Sequence, residues 1–164
     1  YITYGFSNTK YRAEQAELEL WYGTETLEFR PPHDRRHQVN ALASTTYRKL
    51  DLSVRWEFGS GLPFSRVVGF DGFALVDGII DPFEVDVDRR VIYERPFSGE
   101  LPAYHRMELS VGRKFTTDRT IVTLQGSVIN VYNRSNLFYL DVFTLKRSDQ
   151  LPIVPSVGVK VEFR

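Results

Sequence analysis

Five stretches of the chain alternate apolar and polar residues with a period of two. In 51–58, Leu52, Val54, Trp56 and Phe58 fall on one side and Asp51, Ser53, Arg55 and Glu57 on the other. Successive side chains of a strand point to opposite faces, so this is a strand with one apolar and one polar face. Residues 106–115 repeat the pattern: Met107, Leu109, Val111 and Phe115 oppose Arg106, Glu108, Ser110, Gly112 and Lys114, and Arg113 interrupts the apolar row. At the chain end, Val157, Val159, Val161 and Phe163 alternate with Gly158, Lys160 and Glu162. Residues 38–47 and 120–129 carry weaker versions, through Val39, Ala41, Ala43, Thr45 and Tyr47 and through Val122, Leu124 and Val128. With a first strand from Tyr1 to about Asn8, the pattern predicts about six strands.

The connections between these strands alternate short and long. Short turns fall near Arg48-Lys49 and at Thr116-Thr117-Asp118, whereas 9–34, 60–102 and 131–154 are long. Neighbouring strands joined this way form an antiparallel meander. The short turns and the chain end then share one end of the sheet, and the loops near 20, 80 and 143 share the other. Several strands run near ten residues, longer than the usual five or six of soluble sheets. Strands of about ten residues with every second side chain apolar cross a bilayer in outer-membrane barrels. The fold class is therefore all-β. Pattern alone leaves two architectures open: an open, curved segment of a transmembrane β-barrel, and a soluble sheet whose polar faces meet water.

Composition narrows the chemistry. The 21 basic and 21 acidic residues cancel, which excludes a broadly basic nucleic-acid-binding surface. There is no cysteine, so disulfides, thiolate metal sites and thiol catalysis are out. No run of about 18 apolar residues is present for a transmembrane helix. The opening Tyr1-Ile2-Thr3-Tyr4 does not read as a signal peptide. For an exported barrel this leads us to expect a fragment of a longer protein.

Candidate sites are few. His33, Asp34 and His37 cluster before the second strand, but two residues four apart in a strand are separated by more than about 12 Å, so a strand start is the simpler reading than a metal site. Asp81, Glu84, Asp86 and Asp88 make an acidic stretch without the spacing of a calcium loop, and read as a solvated loop. Phe70, Phe73 and Phe83 in the same segment read as packing rather than ligand contact. Ser65, Ser98 and Ser110 lack a nucleophile-elbow context and there is no phosphate-cradling glycine loop, so no catalytic residue, metal or cofactor is expected. Tyr47, Trp56, Phe58 and Phe115 near strand ends suit an interfacial aromatic girdle.

Five local motifs occur in series: Asp-Arg-Arg-His-Gln-Val-Asn at 34–40, Gly-Ser-Gly-Leu-Pro-Phe at 59–64, Leu-Pro-Ala-Tyr-His-Arg-Met-Glu-Leu at 101–109, Val-Ile-Asn-Val-Tyr-Asn-Arg-Ser-Asn at 128–136, and the segment from Leu151 to Phe163. In order and spacing this series resembles the last strands of TonB-dependent receptors, over nearly the whole chain. The resemblance implies a Gram-negative outer-membrane location and an energy-coupled receptor for a bulky, scarce ligand of the iron-siderophore, cobalamin or glycan class. It implies as partners the outer-membrane lipid, the barrel assembly machinery, and an inner-membrane energy-coupling complex reached through N-terminal parts absent here, with no nucleic acid. Under it, Val54, Trp56, Leu109, Val111, Leu124, Val159 and Val161 face lipid, while Arg55, Glu108, Gln125 and Lys160 face the lumen. Phe163 is the implied assembly signal; the family pattern ends on an aromatic residue, whereas here Arg164 follows it. A passive or structural outer-membrane barrel and a soluble β-sandwich binding module are the other two readings.

Overall fold

A computed structural model describes residues 1–73, 88–141, 144 and 146–163. In chain order the elements are β1 (Ile2–Phe6), β2 (Tyr11–Glu14), a short helix α1 (Leu18–Tyr22), β3 (Thr26–Phe29), β4 (His37–Tyr47) and β5 (Leu50–Gly59). There follow β6 (Pro63–Phe64), β7 (Val67–Phe73), β8 (Asp88–Tyr93), β9 (Gly99–Glu100) and β10 (Tyr104–Thr116). The remaining strands are β11 (Thr120–Ile129), β12 (Leu137–Leu140), β13 (Arg147–Asp149) and β14 (Val154–Phe163). Strands dominate the described residues, and α1 is the one helix among them. Six strands form one open antiparallel sheet in the order β1-β4-β5-β10-β11-β14. These are the six strands the alternation marks, each beside its neighbour in that series.

The long connections are not bare loops. They fold into short hairpins, β2 with β3, β7 with β8 and β12 with β13, while β6 pairs β9. Sequence reading expects none of these, nor α1. They span two to seven residues and have no sustained alternation, so periodicity gives no signal for them. Helix α1 ends where Gly23 takes φ 69° and its N–H donates to the Glu19 carbonyl at 2.9 Å, a left-handed cap suited to glycine.

Register puts the two short turns and the last strand's C-terminal residues at one end. Tyr47 pairs Leu50 around the first turn, Thr116 pairs Ile121 around the second, and Phe163 pairs Thr120. The opposite end holds Phe6, His37, Gly59, Tyr104, Ile129 and Val154, where the long connections leave. The predicted loop tips near 80 and at 143 lie outside the described residues.

The first turn is a two-residue hairpin whose central residues are both left-handed, Arg48 at φ 48° and Lys49 at φ 67°. Such turns match the twist of the flanking strands and usually hold Asn-Gly. A side chain with a Cβ costs roughly 1–2 kcal/mol per residue there, so Arg-Lys is an expensive choice. The second turn is tied by Thr117, whose hydroxyl accepts from the Thr120 N–H at 3.1 Å while its own N–H donates to the Thr120 carbonyl at 2.8 Å.

Candidate functional site

Residues directly opposite each other on paired strands share a face, and the register therefore assembles two continuous surfaces. One runs from Tyr4 and Val39 through Phe58 and from Trp56 to Met107. It continues through Val54, Leu109 and Val128 to Pro155, and through Leu52, Val111 and Gly126 to Val157. Leu124 pairs Val159 and Val122 pairs Val161 on the same side. All seven residues predicted to face lipid thus fall on one side of the sheet, together with Phe163. Arg113 shares this side, opposite Leu50, the first residue of β5, and Leu124.

Among the described residues nothing covers most of this surface. Among the described residues, the one buried hydrophobic residue is Leu27, which lies in the β2–β3 hairpin and not in the sheet. Along the middle of β10 the order is the reverse of a soluble domain: Leu109 and Val111 are exposed, and Ser110 and Gly112 between them are half-buried. Val159 on β14 is 64 % exposed. Among the described residues no second sheet pairs with or extends this one beyond the small two-stranded hairpins. A soluble monomer seldom exposes a contiguous apolar patch of more than a few hundred Å².

The other surface is mostly polar, and its charges pair with one another, although Arg106 Nε has no hydrogen-bond partner. Arg55 pairs Glu57 at 2.7 Å, and Arg106 reaches Glu108 at 2.7 Å and Glu57 at 3.7 Å, giving a belt of four alternating charges across β5 and β10. Nearer the short turns, Ser44, Ser53, Ser110, Ser127 and Ser156 occupy one register row across five strands. Ser53 and Ser110 share a hydrogen bond of 2.6 Å, as do Ser127 and Ser156. These serines are a hydroxyl ladder across the sheet, a role visible only once register is known.

The long-loop end is held by two polar ties. In the first, Asn130, fully buried and left-handed at φ 54°, donates to the carbonyls of Arg134 at 2.9 Å and Leu151 at 3.1 Å. Its side-chain oxygen accepts from the Arg134 N–H at 3.0 Å. Asn136 pairs with the backbone of His105 as a strand would, accepting its N–H at 3.2 Å and donating to its carbonyl at 2.9 Å. Asn133 accepts from the Ile153 N–H at 2.9 Å, and Arg134 donates to the Ala103 carbonyl at 3.0 Å. The motif at 128–136 is thus a knot tying β11 to the entries of β10 and β14. The role of Asn136 leaves no mark in the sequence, because its partner lies 31 residues away.

The second tie is Asp34. Its buried carboxylate accepts from Arg30 Nε at 3.0 Å, Ser7 Oγ at 3.1 Å, the Thr9 N–H at 3.3 Å and Arg36 Nε at 3.4 Å. Burial pushes its pKa up, but the hydrogen bonds from Arg30, Thr9 and Ser7 and the Arg30 charge outweigh that and hold it below the usual carboxylate value. The cluster His33, Asp34 and His37 is dispersed: His33 packs edge-on to Tyr11, and His37 shares a 2.9 Å hydrogen bond with the Tyr4 hydroxyl. No group of three metal-ligating side chains occurs among the described residues.

The glycines at 59 and 61 have a specific use. A Cβ on Gly59 would meet Arg35 Nη1 at 1.7 Å, and one on Gly61 would meet the Leu101 carbonyl oxygen at 1.9 Å. Arg35 can therefore lie over the end of β5, with its guanidinium 5.9 Å from the Tyr104 ring. Ser65 accepts from the Phe97 N–H and Ser98 donates to Glu94, so both hydroxyls are engaged locally. Asp81, Phe83, Glu84 and Asp86 lie outside the described residues. Phe70 and Phe73 fall in β7 and Asp88 opens β8, so these three belong to a hairpin and not to a loop. Searches against protein-family models, curated proteins and solved structures return no match.

Proposed function

We propose that the chain is the C-terminal part of an outer-membrane receptor of the TonB-dependent kind. It would import a bulky ligand of the iron-siderophore, cobalamin or glycan class. The observation that carries the reading is the exposed apolar face, continuous over six register-matched strands and backed by a polar face of paired charges and hydroxyls. Hydrocarbon is the solvent such a face requires, and a closed barrel is the form in which its backbone groups stay paired. Strands β1 and β14 are free edges, so closure needs further strands of the same barrel. The alternation of short turns and long, tied connections fits a periplasmic end and an outward end. The motif series supplies the energy-coupled class.

The test is uptake. Cells carrying a disruption of the coding region are compared with wild type for accumulation of each ligand class, with and without a protonophore. The reading expects loss of accumulation of one class on disruption, and the same loss in wild type on dissipating the proton gradient. Accumulation that survives the protonophore but not the disruption would select a passive barrel instead.

A further inference from the structure

The two ends of the apolar face differ in their side chains. At the long-loop end it finishes in aromatic and imidazole rings. His37 is bonded to Tyr4 and packed on Phe6, His105 shares a 2.8 Å hydrogen bond with Tyr132, and Trp56 stacks on Phe58. At the short-turn end the same face carries cations on aromatic rings. The Arg113 guanidinium lies 4.9 Å from the centroid of Phe115, and that of Arg48 lies 5.2 Å from the centroid of Tyr47. Leu50 of β5 pairs with Tyr47 of β4 on one side and Arg113 of β10 on the other, so the residues that carry the two ring-mounted guanidiniums flank β5 at the short-turn end, with Lys49 in the turn beside them.

These cations have no ion-pair partner among the described residues. Of the carboxylates near this end, Asp51 accepts from Thr46 at 2.7 Å and Glu162 pairs Lys160 at 2.6 Å, both on the opposite face, and Asp118 lies in the second turn. The turn gives an independent reason to look here. Both Arg48 and Lys49 hold left-handed backbone, at φ 48° and 67°, where Asn-Gly would sit without strain. Strained residues that the fold does not require point to a use outside it.

We infer that this rim binds the phosphate of an anionic phospholipid headgroup in the leaflet at the short-turn end. The inference rests on the membrane reading above. Leu50, Leu124 and Val122 beside the cations offer contact to the first acyl carbons, which a free phosphate lacks. The rings below hold each guanidinium at the border between hydrocarbon and water. Arginine presents a planar fork that matches phosphate oxygens, and Lys49 adds a point charge. A net-anionic headgroup complements three unpaired cations better than a zwitterionic one, whose own ammonium competes for the phosphate.

The experiment uses the full protein reconstituted in phosphatidylcholine vesicles containing trace spin-labelled phosphatidylglycerol or spin-labelled phosphatidylcholine. Electron paramagnetic resonance reads the fraction of each label held at the protein surface. The wild type should retain phosphatidylglycerol about fivefold or more over phosphatidylcholine, as roughly one phosphate-bound cation's worth of preference implies. The variant R48N/K49G should lose most of this preference. Its turn is better suited to the hairpin than the native one, so the loss cannot come from misfolding. R113Q should lose the rest. Equal retention of both lipids by an inserted wild type overturns the inference and leaves the membrane reading intact, and a preference that survives R48N/K49G/R113Q overturns it too. Failure to insert into either vesicle overturns both. Displacement of the labelled lipid by millimolar inorganic phosphate would reassign the rim to free phosphate.

Discussion

Replacing Asn130 by Ala should destabilise the sheet far more than the same change at Asn133, although both residues are left-handed and only three positions apart. Asn130 is 1 % exposed and makes three hydrogen bonds to backbone groups, two donated and one accepted. Removing it strands two carbonyls and one N–H, and each net bond is worth about 0.5–1.5 kcal/mol with more where burial leaves the partner dry. The sum is about 3–4 kcal/mol, to which alanine adds about 1 kcal/mol for the left-handed backbone. Asn133 is exposed and makes one such side-chain bond, to Ile153, so its loss should cost about 1–2 kcal/mol including the same backbone term. Asn130→Gly separates the two effects by removing the bonds while relieving the backbone. Denaturant unfolding of the protein in detergent micelles, followed by tryptophan fluorescence, measures all three, because Trp56 lines a shallow cleft with His105 and Tyr132 beside the knot. An Asn130→Ala variant within about 1 kcal/mol of wild type would refute the idea that this residue ties β11 to its neighbours.

Three further outcomes follow from named contacts. Asp34→Asn should cost about 2–3 kcal/mol through loss of charge-assisted bonds from Arg30 and Arg36. In the wild type the Asp34 carboxyl has a lowered folded-state pKa, so its contribution is present above the ordinary value of 3.8 and is lost as pH falls below that through the folded value. The protection factor of the Thr9 amide should therefore hold above the ordinary carboxylate value of 3.8 and fall as pH drops below it through the lower folded value. Leu109→Arg should cost about 2–4 kcal/mol in a lipid-inserted protein, whereas Ser110→Arg, one residue away on the polar face, should cost little beyond its Ser53 bond; urea titration of vesicle-inserted protein compares them. Replacing Arg48-Lys49 by Asn-Gly should raise stability by about 1–3 kcal/mol in the same titration, because two left-handed side chains are relieved.

The sheet was legible because its energetics are written with a period of two. Each long strand places Val, Leu or an aromatic residue on one face and a charge or hydroxyl on the other, and a slip of one residue would exchange the faces. The positions of Leu109 and Glu108 could thus be read locally. The small hairpins could not, because segments such as Tyr11–Glu14 and Arg147–Asp149 are too short to alternate and are set by their partners. The polar ties were hidden for the same reason. Asp34 looked like a member of a histidine cluster until its partners Ser7, Thr9 and Arg30 came together from both sides of a hairpin. The serine row and the cationic rim likewise exist only after register has aligned distant residues. Val54, Trp56 and Leu109 could be given a face from sequence, but that the face stays uncovered is a property of the assembled sheet.

The central claim is that lipid covers the apolar face. The chain contains no cysteine, so a single spin-labelled cysteine at each position from His105 to Phe115 reports one site alone. The protein is reconstituted in vesicles, and collision with oxygen, which concentrates in lipid, is compared with collision with a water-soluble nickel chelate. The account expects a period of two, with oxygen dominant at Met107, Leu109 and Val111 and nickel dominant at Glu108, Ser110 and Gly112. Nickel access at Leu109 and Val111 equal to that at Glu108 and Ser110, or no access of either reagent to Leu109 and Val111, would mean that water or a protein core meets this face, and the account would be wrong.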